Sequence, residues 1–254
     1  MIRLGQNFLA DPNLLDAIVR DAELSPEDVA LEVGAGEGVL TERLAGAAAH
    51  VHAIEIDRSL EAGLAALAAL PNVDLHLGDA MTIDLAALAP APTAVVSNLP
   101  YSVATPLILR TIEELPSVRR WTVMVQREIA ERLRAAPGSR TYGSPSVLAQ
   151  LACEVRLLRT VDPAVFRPRP RVESAILGLR RTGPGADPAT RKLVRAAFSH
   201  RRKSLARSLE HVRPGSLVSA REALAELGLA EDARAEALAP EDFAALSAKL
   251  RLGA

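Results

Sequence analysis

Asn98-Leu99-Pro100-Tyr101 brings together, in four consecutive residues, a carboxamide, two carbonyls and a phenol ring. It follows Ala94-Val95-Val96-Ser97, a short apolar run of the kind a buried parallel strand needs. Proline removes a backbone donor and fixes its own φ, so such a turn offers acceptors to whatever sits above the sheet. Acceptors suit a ligand that brings N–H groups, and a tyrosine ring suits a flat one. The exocyclic amine of a nucleobase meets both requirements. An ordinary strand-to-loop turn can carry the same four residues, so the reading depends on what lies upstream.

Upstream, Leu31-Glu32-Val33-Gly34-Ala35-Gly36-Glu37-Gly38 reads as a strand that runs into a glycine loop and then a helix. Glycines there let backbone approach a ligand closely, and a helix N-terminus favours polar or negative groups. The next strand ends Ala53-Ile54-Glu55-Ile56-Asp57, which puts Glu55 about 20 residues after the glycines, the place for a carboxylate that grips ribose hydroxyls. A third strand ends Leu77-Gly78-Asp79-Ala80, where Asp79 can accept a hydrogen bond from an adenine amine. Gly34 and Gly36 do not follow the G-x-G-x-x-G spacing of dinucleotide folds, and Glu32 and Glu37 crowd the loop with negative charge. That charge opposes a pyrophosphate and suits a phosphate-free cofactor with a sulfonium and an ammonium. S-adenosyl-L-methionine is such a cofactor. No metal site is expected.

Positioning these groups requires strands and helices in alternation. Asp11-Pro12 is a helix start, with Leu14, Leu15, Ile18, Val19 and Ala22 on one face. Strands are expected at 29–33, 50–56, 73–77, 94–97 and 121–125, and helices at 38–46, 58–69, 106–114, 126–135 and up to about 152. The pattern means an α/β fold, a parallel sheet covered by helices on both faces. Two last runs, 154–161 and 174–180, have no helix between them and predict an antiparallel hairpin at the sheet edge. Thr182-Gly183-Pro184-Gly185-Ala186-Asp187-Pro188 has linker composition. The expected domains are therefore 1–184, and 185–254 as a small all-helical appendage.

A chain of 254 residues with 49% hydrophobic content can bury a substantial core. The single cysteine, Cys153, excludes an intrachain disulfide, and the chain lacks a signal-peptide layout or a long apolar run. A cytoplasmic protein that does not cross a membrane is expected. The net charge of −1 hides an asymmetry: residues 1–100 hold 4 basic and 15 acidic side chains, whereas 101–213 hold 22 and 9. The stretch from Arg191 to Arg213 carries eight basic residues against Glu210 alone. A basic block this local, and nearly all arginine, points to nucleic acid.

Taken together, the chain resembles the rRNA adenine N6-dimethyltransferase family, in its branch that modifies small-subunit rRNA. Gly5-Gln6-Asn7-Phe8-Leu9 looks like the family's N-terminal signature, in which Asn7 and Leu9 would contact the cofactor. Gly34, Glu55, Asp79 and Asn98 match its other cofactor positions, and Asn98-Leu99-Pro100-Tyr101 its catalytic motif. Residues 166–174 match its F-x-P-x-P-x-V-x-S segment, whose phenylalanine, here Phe166, faces the target base. Ala197-Phe198-Ser199-His200-Arg201-Arg202-Lys203-Ser204-Leu205 is similar to a basic run of that branch.

The resemblance implies a Rossmann-like class I S-adenosylmethionine-dependent methyltransferase sheet and a helical RNA-binding appendage. It also implies a catalytic set of Asn98, Leu99, Pro100, Tyr101 and Phe166, with Tyr101 and Phe166 sandwiching an extruded adenine. Arg167, Arg169, Arg171, Arg201, Arg202 and Lys203 would bind phosphate backbone. The implied substrate is 16S rRNA within the small (30S) ribosomal subunit or its precursor, two adjacent adenines of a hairpin loop receiving four methyl groups from a monomeric enzyme. Three other readings stay open. Resistance methyltransferases acting on large-subunit (23S) rRNA share the fold and the F-x-P-x-P segment. A nicotinamide-dependent oxidoreductase would share the glycine loop and Glu55. A binding protein that checks ribosome assembly would keep the fold without catalysis.

Overall fold

The computed structural model describes residues 8–9, 11–200 and 202–250. Asn7 and Arg201 lie outside the described residues. The elements run β1 (Phe8–Leu9), α1 (Pro12–Ala22), β2 (Val29–Val33), α2 (Val39–Ala45), β3 (His50–Glu55), α3 (Glu61–Ala68), β4 (Val73–Leu77) and β5 (Ala94–Asn98). They continue with α4 (Ala104–Glu114), β6 (Arg120–Gln126), α5 (Arg127–Leu133), α6 (Ser144–Gln150), β7 (Cys153–Val161), β8 (Phe166–Arg167) and β9 (Ser174–Arg181). Four helices close the chain: α7 (Pro188–Ala197), α8 (Leu205–Val212), α9 (Leu217–Glu226) and α10 (Pro240–Leu250).

The chain divides into two compact units, Met1–Ala130 with Val155–Arg181, and Glu131–Glu154 with Thr182–Ala254. The return at Thr182 lies close to the linker composition around 184. The segment Glu131–Glu154, expected in the first domain, groups with the second unit.

Seven strands form one sheet in the order β4-β3-β2-β5-β6-β9-β7. From β4 to β6 the pairs are parallel, and β9 joins β6 antiparallel. Chain order runs outward from the β2–β5 pair, through β3 to β4 on one side and to β6 on the other. That pair is a topological switch point, beyond whose carboxyl ends an open α/β sheet leaves a crevice. The strands there are apolar because both faces are covered: Val29–Val33 is buried throughout.

On one face, Leu15 and Ile18 of α1 and Leu40 and Leu44 of α2 pack with Val51, Val96, Met124 and Ile176. On the other, the indole of Trp121 donates to Thr111 Oγ1 of α4 at 2.9 Å. Helix α1 starts where it does because Asp11 accepts from the amides of Asn13 and Leu14, with Pro12 needing no partner. At the opposite ends of the strands, Asp28 takes hydrogen bonds from Thr93 Oγ1 and Arg120 at 2.7 Å each.

The last two runs make the sheet edge, as expected. The later run, β9, sits inside against β6, and the earlier run, β7, takes the edge. Composition explains the order: Ser174–Leu179 is nearly all apolar and buried, while Glu154, Arg156 and Arg159 leave β7 largely exposed. Charge on an edge strand also discourages pairing with another chain.

In the second unit, α7 packs against α6, α8 and α10. Its N-cap Asp187 accepts from the Thr190 amide at 2.7 Å. The buried Tyr142 donates its hydroxyl to the Leu238 carbonyl at 2.9 Å, and Phe198 stacks on Phe243. Among the described residues no helix is long and apolar enough to cross a membrane.

Candidate active site

The carboxyl ends of β2, β3, β4 and β5 surround one cleft of about 280 Å³, and Gly34, Gly36, Glu55, Asp79, Asn98, Leu99, Pro100 and Tyr101 all line it. Its shape follows from backbone freedom at two glycines. Gly34 and Gly36 have φ of +81° and +58°, which side chains other than glycine's adopt only at a cost. A Cβ on Gly34 would sit 3.3 Å from Pro100 Cδ. The glycine loop and the Asn98-Leu99-Pro100-Tyr101 turn are thus in van der Waals contact across the switch point.

Glu55 ends β3 and is buried. One carboxylate oxygen accepts from the Gly36 amide at 2.7 Å and the other from the Asp57 amide at 2.8 Å. The carboxylate is thereby fixed across the mouth of the loop, and its remaining lone pairs can accept from a pair of hydroxyls. Glu32, 1% exposed, lies beneath the loop and accepts from Thr41 Oγ1 at 2.6 Å. Burial pushes its carboxyl up to about 8; the charge of Glu55 adds to this and the Thr41 bond opposes it. Asp79 is exposed after β4 and accepts from the Met81 amide at 2.8 Å.

Asn98 is the last residue of β5 and half-buried. The Leu99 amide donates to the Met124 carbonyl at 3.0 Å, and the Val103 amide to the Pro100 carbonyl at 3.1 Å. These bonds fix the turn into α4. The Tyr101 hydroxyl bonds to the buried Ser174 Oγ at 2.6 Å, tying the ring to β9, and burial raises its phenol above the ordinary range.

Phe166 is a correction. It is 2% exposed, packs in the core cluster with Leu9, Leu15 and Met124, and does not line the cleft. Pairing explains it: β8 lies antiparallel to β1, with Leu9 opposite Phe166 and Phe8 opposite Arg167. That register sets the Phe166 ring beside Leu9 in the core cluster, while Phe8 lines the cleft. Leu9 is buried and also lines the cleft.

The expected basic residues fall into two groups. Arg167, Arg169 and Arg171 are exposed on the first unit; Arg202 and Lys203 are exposed on the second. Arg169 lies 3.8 Å from Asp162, and Lys203 lies beside His211.

Three cleft residues escaped the sequence reading. A Cβ on Gly36 would meet the ring of Phe8 at 3.2 Å. Ile56, 48% exposed, and Met81 are apolar cleft side chains that follow Glu55 and Asp79. For Ile56, an apolar residue directly after a strand-end acid was the available signal.

A sheet of this order, with glycine loop, two acids and an amide turn at its switch point, defines a class I methyltransferase. Residues 1–251 match the family described as Ribosomal RNA adenine dimethylase. A Rubrobacter xylanophilus protein named Ribosomal RNA small subunit methyltransferase A is 47% identical over 248 residues, covering 96% of this chain and 92% of that one. Among solved structures, a dimethyladenosine transferase from Plasmodium falciparum superposes with a TM-score of 0.81 at 27% identity, covering 94% of this chain and 95% of that one. The 23S rRNA methyltransferase ErmE gives 0.70 at 28%, covering 96% and 100%. The chain belongs to the ribosomal RNA adenine dimethylase family.

Proposed function

We propose that this protein dimethylates N6 of two adjacent adenines in a hairpin loop of small-subunit (16S) rRNA, using S-adenosylmethionine, during assembly of the 30S subunit. The observation that carries it is the contact of Gly34 with Pro100, which joins the cofactor loop to the amide turn in one cleft. Relatives named for the small subunit, at high identity over nearly the whole chain, favour this substrate over large-subunit rRNA.

The residues present fit the donor. Buried Glu55 supplies negative charge, Glu32 can ionise beside a cationic ligand, the left-handed glycines allow backbone close to a ligand, and Ile56 offers an apolar face to a flat ring. Glu55 would hold the ribose hydroxyls, Asp79 would accept from the adenine amine, and Asn7 and Leu9 would contact the ligand. Bound S-adenosylmethionine supplies an electrophilic methyl group on a cationic sulfur.

Adenine N6 is a weak nucleophile because its lone pair is delocalised into the ring. No strong base is required, since its proton turns acidic only as the new bond forms. The Asn98 side-chain oxygen and the Leu99 carbonyl accept the two N–H bonds and favour the positive charge developing on nitrogen. The fixed turn aims the N6 lone pair toward the donor side of the cleft. Tyr101, anchored by Ser174, takes one face of the extruded base, a stack that contributes roughly 1–3 kcal/mol. Phe166 supports the wall from the core.

Asn98→Ala should lower kcat about 10²–10³-fold in methyl transfer to unmodified small subunits, with the chain still folded. Near-normal turnover of that variant contradicts the arrangement.

A further inference from the structure

Two parallel strands away from the amide turn, β3 and β4 carry a group of side chains that the methyl-transfer chemistry leaves unused. His50 and His52 are two apart on β3, and Asp74 and His76 two apart on the edge strand β4. Asp74 lies opposite His52 in the register, so the four side chains share one face of the sheet. Glu55, with the other parity, points to the opposite face.

His50 Nε2 lies 2.9 Å from Asp74 Oδ2, and His52 Nδ1 lies 3.6 Å from the same oxygen. The three donor atoms of His50, His52 and Asp74 all fall within 4.8 Å of one another. Four nitrogen or oxygen ligands held ~2.0 Å from zinc in a tetrahedron are about 3.3 Å apart, and the His50–Asp74 and His52–Asp74 separations bracket that value.

The tautomer of His52 supplies a second, independent argument. Its Nε2 lies 2.8 Å from the Pro90 carbonyl, which can only accept, so Nε2 carries the proton. Nδ1 is therefore the nitrogen whose lone pair can ligate; it lies 3.2 Å from His76 Nε2, which can donate to it, and 3.6 Å from Asp74 Oδ2. A cation would take that lone pair in place of the His76 proton, with Asp74 supplying negative charge beside it. A histidine ligand whose other nitrogen donates to a backbone carbonyl is also how proteins orient metal-binding imidazoles.

We propose that His50 Nε2, His52 Nδ1 and Asp74 Oδ2 form a binding site for a divalent zinc-type cation that clamps β3 to the edge strand β4. Asp74 is half exposed and gives the ion its way in. His76 Nε2, 3.2 Å from His52 Nδ1, is a donor at hand for the fourth position. The site is structural: His52 is three residues back along β3 from Glu55, ~10 Å from the cleft.

The test is titration of the chelator-stripped full-length chain with Zn²⁺ by calorimetry and with Co²⁺ by visible absorption. One saturable equivalent, tetrahedral cobalt bands and a Zn²⁺-dependent rise in thermal midpoint are expected. His50→Gln and Asp74→Asn avoid the buried His52, and each should weaken binding at least about tenfold. Circular dichroism and S-adenosylmethionine affinity of both variants should match the parent. The only other histidines, His200 and His211, have ring centroids 4.7 Å apart and form the competing pair. A His200→Gln/His211→Gln double variant should keep the cobalt signal. Absence of saturable binding, a signal unchanged in the His50 and Asp74 variants, or a signal lost in the double variant would each overturn the proposal.

Discussion

Glu32 is the residue whose protonation state the cleft controls most strongly. Buried beneath the glycine loop, its carboxyl is held up to about 8 against an ordinary value of 4.5. A carboxyl raised in the folded state favours folding most when protonated. Its contribution is thus fully present below the unfolded value and is lost as pH rises through about 8. A cationic donor reverses the preference, because positive charge beside the loop stabilises the carboxylate. Binding of S-adenosylmethionine at neutral pH should therefore release protons, and affinity should rise between about pH 6 and 8. Calorimetry in buffers of different ionisation enthalpy reads this directly, and Glu32→Gln should flatten the dependence. Zero proton release by the parent chain at pH 7 would count against it.

At the same scale, the two aromatics separate. Tyr101→Leu should raise KM for RNA or lower kcat by about 10-fold or more, matching the loss of one base stack. Phe166→Ala should cost about 3–5 kcal/mol of stability as a core truncation. Phe166→Leu, which keeps most of the volume, should lower the thermal midpoint while KM for RNA stays within about twofold. A large KM effect in Phe166→Leu would return that ring to the cleft. Glu55 and Asn98 were legible because an acid or amide at a strand end has few places to point. Phe166 was not, because a motif fixes spacing but not which way a paired two-residue strand turns its rings.

Among the elements, the β2–β5 pair decides where chemistry occurs. Gly34 holds a left-handed backbone with Pro100 at its back, so Gly34→Ala meets both a conformational cost and a 3.3 Å contact. The left-handed backbone alone costs roughly 1–2 kcal/mol. The expected outcome is a lower midpoint by thermal denaturation and a loss of donor affinity of about tenfold or more; parent-like affinity would show that the loop packing is slack. Strands β2, β5 and β6 were readable from short apolar runs between turn residues, since burial on both faces leaves little else. The order at the β9 edge was not readable from adjacency alone. The charges of β7 carried that information, since an exposed, arginine-rich strand belongs outside an apolar one. The H-x-H and D-x-H spacings of β3 and β4 were equally present in the sequence. They gain meaning only once the register sets His52 opposite Asp74.

For the whole molecule, the acidic first hundred residues hold most of the cleft proposed to take a cationic donor, and the basic middle holds the exposed arginines proposed to bind RNA. Replacing Arg167, Arg169 and Arg171 together by alanine should weaken rRNA binding and flatten the plot of log affinity against log salt, by roughly 0.7–0.9 of slope for each phosphate left without its arginine. Binding insensitive to salt in the parent chain would remove the arginines from that role. Composition revealed this charge division but not that Glu131–Glu154 belongs with the carboxyl-terminal helices. Grouping there depends on long-range partners such as Tyr142 with Leu238, which no local pattern announces. The most direct measurement supplies labelled S-adenosylmethionine to small and large subunits that lack the modification, then maps every methylated adenine. Two neighbouring N6-dimethyladenines are expected in one hairpin loop of small-subunit rRNA and none in the large subunit. Label confined to large-subunit rRNA, or to a position other than adenine N6, would contradict it.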